Sequence, residues 1–190
     1  MTWKEGLVRF SSFWIFPALA VVALVLSHHY EATNRSRDLF WLIPLGVLAW
    51  TLIEYGLHRF VFHIEVRNST IRRLVNASHL EHHEAPRDKG RILVRTPYAL
   101  VVSGVVAAAI AALCRDLFSS AGILSGIWAG FLYYESVHYR VHATSGNGPL
   151  VGRQRRAHFY HHFHCADRCF GVTTPLWDYV FGTWRADATD

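Results

Sequence analysis

The chain has 190 residues, 52% of them hydrophobic, with a formal net charge of +5 and a mean hydropathy of +0.16. The length suits one domain, 1–190. The apolar residues gather into four uncharged blocks that lack a polar outer face, which argues against a soluble helical bundle. No RNA- or DNA-binding motif accompanies the basic excess, so it reads as attraction to anionic lipid headgroups and excludes nucleic acid as a partner.

The first block, Phe13–Ser27, follows Lys4 and Arg9 but precedes Ser27-His28-His29-Tyr30, with no small-residue cleavage pattern. It reads as a retained anchor and not a signal peptide. The loop after it carries the sequon Asn34-Arg35-Ser36. The second block, Leu39–Ile53, runs through Glu54–Leu57 into His58 and His63. Next comes a basic segment with eight Lys/Arg between Arg59 and Arg95. Within it Asn68-Ser69-Thr70 can cap a helix through Ile71, Leu74 and Val75 to His83, stopped by Pro86. Thr96-Pro97 reads as a cap and first-turn proline opening the third block, Tyr98–Cys114. The fourth block, Leu117–Tyr134, carries Gly122, Gly126 and Gly130, a spacing that lets helices approach closely and is expected to serve intramolecular packing. Beyond it lie Glu135, His138 and His142, a loop at Gly146-Asn147-Gly148-Pro149, and a tail with six arginines from Arg140 to Arg185. Thr174-Pro175 can open a short helix, Leu176–Phe181, whose Trp177, Tyr179 and Phe181, with Trp184, suit a membrane interface.

Each block falls short of the roughly 20 residues that cross a bilayer, and each can be lengthened by weakly polar flanks. Two basic segments and two charge-poor loops then set the orientation: both termini and the middle segment are expected on the cytoplasmic side. The fold class that follows is an all-α membrane protein of about four transmembrane helices, with a cytoplasmic helical cap. The membrane is a bacterial inner membrane or the endoplasmic reticulum.

Ten of the thirteen histidines form four clusters: His58 and His63; His79, His82 and His83; His138 and His142; His158, His161 and His162. Neutral imidazole is the most common protein metal ligand, and ten exceed what one ion can hold, so a two-metal site is expected. Crossing parity and charge place all four clusters on one face. At 3.6 residues per turn, His138 and His142 share a helix face, as do the members of each three-histidine cluster. His58 and His63 would lie roughly 140° apart on a regular helix, so a bulge, a helix end or separate metals is expected there. His28, His29 and His164 read as ordinary polar residues. Cys114 reads as a buried thiol, and Cys165 and Cys169 are spare to a site already rich in imidazole. A metal transporter would need ligands along the crossing path, and a bis-His haem carrier would need them on the spans. Both non-enzymatic readings fit less well than a metal centre at the membrane face.

The motifs Glu54-Tyr55-x-Leu57-His58-Arg59-Phe60-x-Phe62-His63, the His79 cluster, His138-x3-His142, the His158 cluster and Gly171-Val172-Thr173-Thr174-Pro175-Leu176-Trp177-Asp178 resemble the fatty acid hydroxylase superfamily, which includes sterol desaturases. The similarity covers residues 40–185, and its first motif is nearest to the branch that hydroxylates acyl chains at C2. The resemblance implies a non-haem oxygenase with two iron ions, for which zinc is a plausible substitute in purified protein. Its implied metal ligands are His58, His63, His79, His82, His83, His138, His142, His158, His161 and His162. It implies a membrane lipid substrate, O2, and hydroxylation of an acyl C–H bond. A sterol or carotenoid hydroxylase and a lipid desaturase are the alternatives within the superfamily. The short stretch before the first block leaves no room for the fused cytochrome b5 domain of some members, so an external donor of cytochrome b5 or ferredoxin type is expected. Glu54, Glu135 and Asp178 are candidates to orient ligating imidazoles.

Overall fold

A computed structural model describes residues 11–31, 35–63, 67–75, 79–144 and 148–185. Asn34 of the sequon, Gly146 and Asn147 of the 146–149 loop and the last five residues lie outside them. Among the described residues the secondary structure is helical throughout, without strands. In chain order it comprises α1 (Ser12–Glu31), a 3₁₀ turn (Ser36–Asp38), α2 (Leu39–Gly56), a π-helical segment (Leu57–Phe62), α3 (Ser69–Val75), α4 (Glu81–Glu84), α5 (Lys89–Ile92), α6 (Thr96–Cys114), α7 (Leu117–Ala143), α8 (Pro149–Phe163) and α9 (Leu176–Val180).

Four helical stretches are long and apolar enough to cross a membrane: Ser12–Glu31, Ser36–Phe62, Gly90–Cys114 and Leu117–Ala143. Their burial separates their roles. The most apolar window of the fourth is 72% buried and that of the third 0%. Leu117–Ala143 is thus enclosed by protein, while Val101, Val105 and Leu113 on α6, like Trp14, Val21 and Val25 on α1, face outward. An apolar surface of this extent is stable in lipid, not in water, and marks a multi-pass membrane protein.

The chain forms two compact units, Thr2–Trp50 with Arg95–Leu132, and Thr51–Val94 with Tyr133–Asp190. The first is a helix bundle. Gly122, Gly126 and Gly130 of α7 lie against α2, where a Cβ would overlap Leu42, the Ile43 carbonyl and Trp50 respectively. Gly46 answers from α2 against Ile123 and Gly126. Intramolecular packing is therefore the use of the glycine ladder. Phe16 of α1 sits edge-on to Phe131 at 5.1 Å, Trp50 of α2 meets the same ring at 5.4 Å, and Trp128 donates to Ser103 Oγ of α6 at 2.7 Å. The Glu31 carboxylate accepts from the Leu117 and Phe118 amides, capping α7. Thr96 does not cap α6 as expected. It is the first helical residue, with Arg95 in the cap position, and its hydroxyl pairs with Ser11 at 2.8 Å and Ser12 at 2.9 Å at the start of α1.

The second unit holds the histidine clusters. The apolar helices α2 and α7 run on past their blocks, carrying His58 and His138–His142 with them, as expected. The capping role of Asn68 holds, with Thr70 N donating to its Oδ1 at 3.0 Å. The helix it opens is described to Val75, and the rest of the expected span is described only from His79, with His82 and His83 on α4. Trp177 of α9 is partly buried and donates to Thr51 Oγ1 at 2.9 Å, whereas Tyr179 and Phe181 stay exposed.

Candidate metal centre

All ten clustered histidines converge in the second unit, in two groups. His58, His63, His79, His83 and His161 form one; His82, His138, His142, His158 and His162 form the other. Within each group the candidate ligand atoms all lie within 4.8 Å of one another.

The partition corrects the expectation that each three-histidine cluster serves through one shared face. In both clusters the i and i+4 members stay together and the i+3 member crosses over. His79 and His83 enter the first group while His82 enters the second; His158 and His162 enter the second while His161 enters the first. Positions i and i+4 differ by about 40° around a helix, and i+3 lies about 100° from i+4. On α8, which carries His158, His161 and His162, that angle is enough to reach a different group, whereas His79 precedes α4 and meets His83 across a non-α-helical start. The two groups nevertheless touch, since the His83 and His162 rings stack at 4.0 Å.

The irregular His58–His63 spacing is resolved by the π-helical segment Leu57–Phe62. Hydrogen bonding to i+5 widens the turn by one residue and aligns residues five apart. The rings come to 5.2 Å with His63 just past the end of the segment, so both the bulge and the helix end occur, and the two rings fall in the same candidate group. Such single-turn π segments are frequent at functional sites.

The nitrogen geometry tests whether these groups suit an ion. His158 Nε2 lies 3.1 Å from His138 Nε2, 2.9 Å from His142 Nε2 and 3.0 Å from His162 Nε2. One imidazole nitrogen carries either one proton or one lone pair, so it cannot make three such hydrogen bonds. Nitrogens about 2.1 Å from a common metal, at right angles, are about 3.0 Å apart. In the first group His63 and His161 Nε2 are 3.1 Å apart and His79 and His83 Nε2 2.8 Å apart. His58 Nε2 is buried there without a hydrogen-bond partner among the described residues. Both groups thus fit a metal ion held by imidazole Nε2 atoms.

Main-chain carbonyls set the tautomers. His58 Nδ1 pairs with Phe170 O at 2.5 Å, and His161 Nδ1 with Arg168 O at 2.8 Å. His142 is held by the Pro86 carbonyl. A proton held on Nδ1 leaves the Nε2 lone pair for a metal. Burial, reinforced by neighbouring imidazoles, pushes His82 down to about 3 and His161 to about 4, and holds His79 and His158 well below the usual histidine range. These rings are neutral at pH 7 and need lose no proton to bind a cation. Phe62 stacks on His79 and Tyr134 on His138, which keeps water from the outer ring faces.

The expected carboxylates are all hydrogen-bonded. Asp178 accepts from the Phe170 and Gly171 amides and Thr183 Oγ1, and Glu54 from the Val172 and Thr173 amides and Thr173 Oγ1. The described bonds of Glu135 come from the Val94 amide. The bonds described for these groups run to backbone and threonine, not to imidazole. His28, His29, His164, Cys165 and Cys169 are in neither group. The features that sequence reasoning missed are the carbonyls of Pro86, Arg168 and Phe170, because main-chain acceptors leave no residue-type signature.

Comparison with known proteins agrees with this arrangement. Residues 43–183 match the family described as fatty acid hydroxylase. A dihydroceramide fatty acyl 2-hydroxylase of Arabidopsis thaliana is 34% identical over 172 residues, covering 90% of this chain and 72% of its own. A ceramide very long chain fatty acid hydroxylase of Saccharomyces cerevisiae is 32% identical, covering 92% of this chain and 46% of its own. A fatty acid 2-hydroxylase of Rattus norvegicus is 34% identical, covering 78% and 41%. Among solved structures, full-length scs7p, in which only the hydroxylase domain is visible, superposes with a TM-score of 0.84 at 26% identity, covering 97% of this chain and 70% of its own. Four long apolar helices, ten convergent imidazoles and matches across most of the chain lead to one assignment: the chain belongs to the fatty acid hydroxylase family.

Proposed function

We propose that this chain is a membrane-bound lipid hydroxylase that inserts oxygen at C2 of a fatty acyl chain, using two iron ions held by the ten clustered histidines. The observation that carries the proposal is the pair of five-imidazole groups in a member of this family whose relatives are named 2-hydroxylases. The first ion is assigned to His58, His63, His79, His83 and His161, and the second to His82, His138, His142, His158 and His162. All-nitrogen sets suit zinc as well as iron, so zinc in purified protein fits the same reading.

Iron bound by these residues would supply reductive activation of O2: one oxygen atom would enter a C–H bond and the other leave as water, with two electrons from an external donor and two protons from solvent. The residues contribute the geometry. Carbonyls of Arg168, Phe170 and Pro86 keep Nε2 lone pairs directed inward. Buried rings exclude water, which protects the oxidant from side reactions. The apolar helices keep the acyl substrate in the bilayer. The basic excess of the middle segment and tail places the metal centre and both termini on the cytoplasmic side. There the electron donor is a cytochrome b5 or ferredoxin type protein. Residues 1–190 act as one hydroxylase domain.

Lipid mass spectrometry of cells with and without the chain tests the reading. The expected change is a gain of one oxygen on acyl chains, with fragmentation locating it at C2. Loss of two hydrogens instead would mean desaturation, and an unchanged lipid profile with donor present would refute the proposal.

A further inference from the structure

Four consecutive main-chain amides, Phe170 to Thr173, all donate to buried carboxylates. Phe170 N and Gly171 N reach Asp178 at 2.9 and 2.8 Å, and Val172 N and Thr173 N reach Glu54 Oε1 at 2.7 and 2.9 Å. Thr173 Oγ1 adds a 2.6 Å bond to Glu54 Oε2, and Thr183 Oγ1 a 2.7 Å bond to Asp178. Glu54 is 3% exposed and Asp178 0%, so these bonds do not compete with bulk water. The same loop offers its carbonyls the other way: Phe170 O to His58 Nδ1, and Arg168 O to His161 Nδ1. Both imidazoles belong to the first group. Glu54 and His58 are one helical turn apart, so a single face of α2 and its continuation grips the loop by an amide pair and is gripped by a carbonyl. Gly171 is required by the close approach, because a Cβ there would overlap Thr174 O and lie 2.9 Å from Asp178 Oδ2.

We infer that Glu54 and Asp178 are positioning residues for the first metal ion only, acting through the 168–173 loop and the carbonyls that orient His58 and His161. The inference rests on the two-metal reading proposed above. The second group's described carbonyl contact is at His142, to Pro86, outside this loop. A carboxylate acting through its charge would weaken both ions; one acting through the loop weakens one.

The test measures metal content and affinity by chelator competition in full-length protein in detergent. Glu54→Met keeps the volume and removes the acceptor, and is expected to lower affinity for one ion about 10- to 100-fold, the range for partners behind metal ligands, with the second ion unchanged. Glu54→Gln retains an acceptor and is expected to hold both ions. Combining Glu54→Met with His82→Ala should leave one ion held at the lowered affinity, and with His161→Ala one ion held at the unsubstituted protein's affinity. Asp178→Asn, which keeps one acceptor oxygen, should show a smaller loss with the same selectivity and decides the matter if Glu54→Met does not fold. Equal weakening of both ions, weakening by Glu54→Gln as severe as by Glu54→Met, or full retention in Glu54→Met and Asp178→Asn would overturn the inference. Fewer than two ions in the unsubstituted protein would instead overturn the two-metal reading.

Discussion

His82 and His83 are adjacent in the chain yet belong to different groups, which makes them the sharpest probe of the site. Each His→Ala change removes one of five converging nitrogens. Losing a partner behind a metal ligand typically costs 10- to 100-fold in affinity, so losing the ligand itself should cost at least about 100-fold, or about 2.7 kcal/mol. His82→Ala and His83→Ala should each fall from two bound ions to one after dialysis against a chelator, with helicity by circular dichroism unchanged. The double variants discriminate. His82→Ala with His162→Ala removes two ligands from one group and should leave one ion. His82→Ala with His83→Ala removes one from each and should leave none. Element-resolved mass spectrometry of the purified protein reads the stoichiometry directly. If the adjacent pair leaves one ion and the distant pair none, the partition drawn from the nitrogen contacts is wrong.

Gly126→Ala should lower stability in detergent by at least about 1–3 kcal/mol, because its Cβ would overlap the Ile43 carbonyl and Gly46, both rigid main chain; thermal unfolding at the wild-type Tm would refute this. Metal-free protein should lose stability as pH falls below 6.5. His82 and His161 titrate near 3 and 4 when folded and near 6.5 when unfolded, so the unfolded chain binds more protons in that window. Each contributes a slope of about 1.4 kcal/mol per pH unit, and denaturant midpoints that stay level from pH 7 to 5 would contradict the burial of these rings.

Local sequence reaches far in this protein wherever the signal is a composition or a period. Four uncharged blocks become four helices long enough to span a bilayer, because apolar runs without acidic or basic interruptions have no other soluble use. The glycine ladder declares a close helix contact before its partner is known, since only the missing side chain matters. Thr96 shows where such signals stop: threonine before proline looks like a cap, but its hydroxyl pairs across the fold with Ser11 and Ser12 at the start of α1.

The ligand inventory itself, ten imidazoles at the ends of two spans and in two basic segments, is written in residue types and spacing. Periodicity gives directions around one helix axis and nothing about what stands on either side of it. The tertiary structure decided that His82 and His161 fall in the opposite group from their cluster neighbours; on α8 the step from His161 to His162 turns about 100° around the axis, enough to reach a different group. It also decided that a π turn brings His63 beside His58, and that loop carbonyls held by Glu54 and Asp178 aim the first group's rings. The contacts of His58 with Phe170 and of Val172 with Glu54 join atoms more than a hundred residues apart, and on the loop's side they run through main-chain groups that every residue possesses, so no pattern of side chains could announce them.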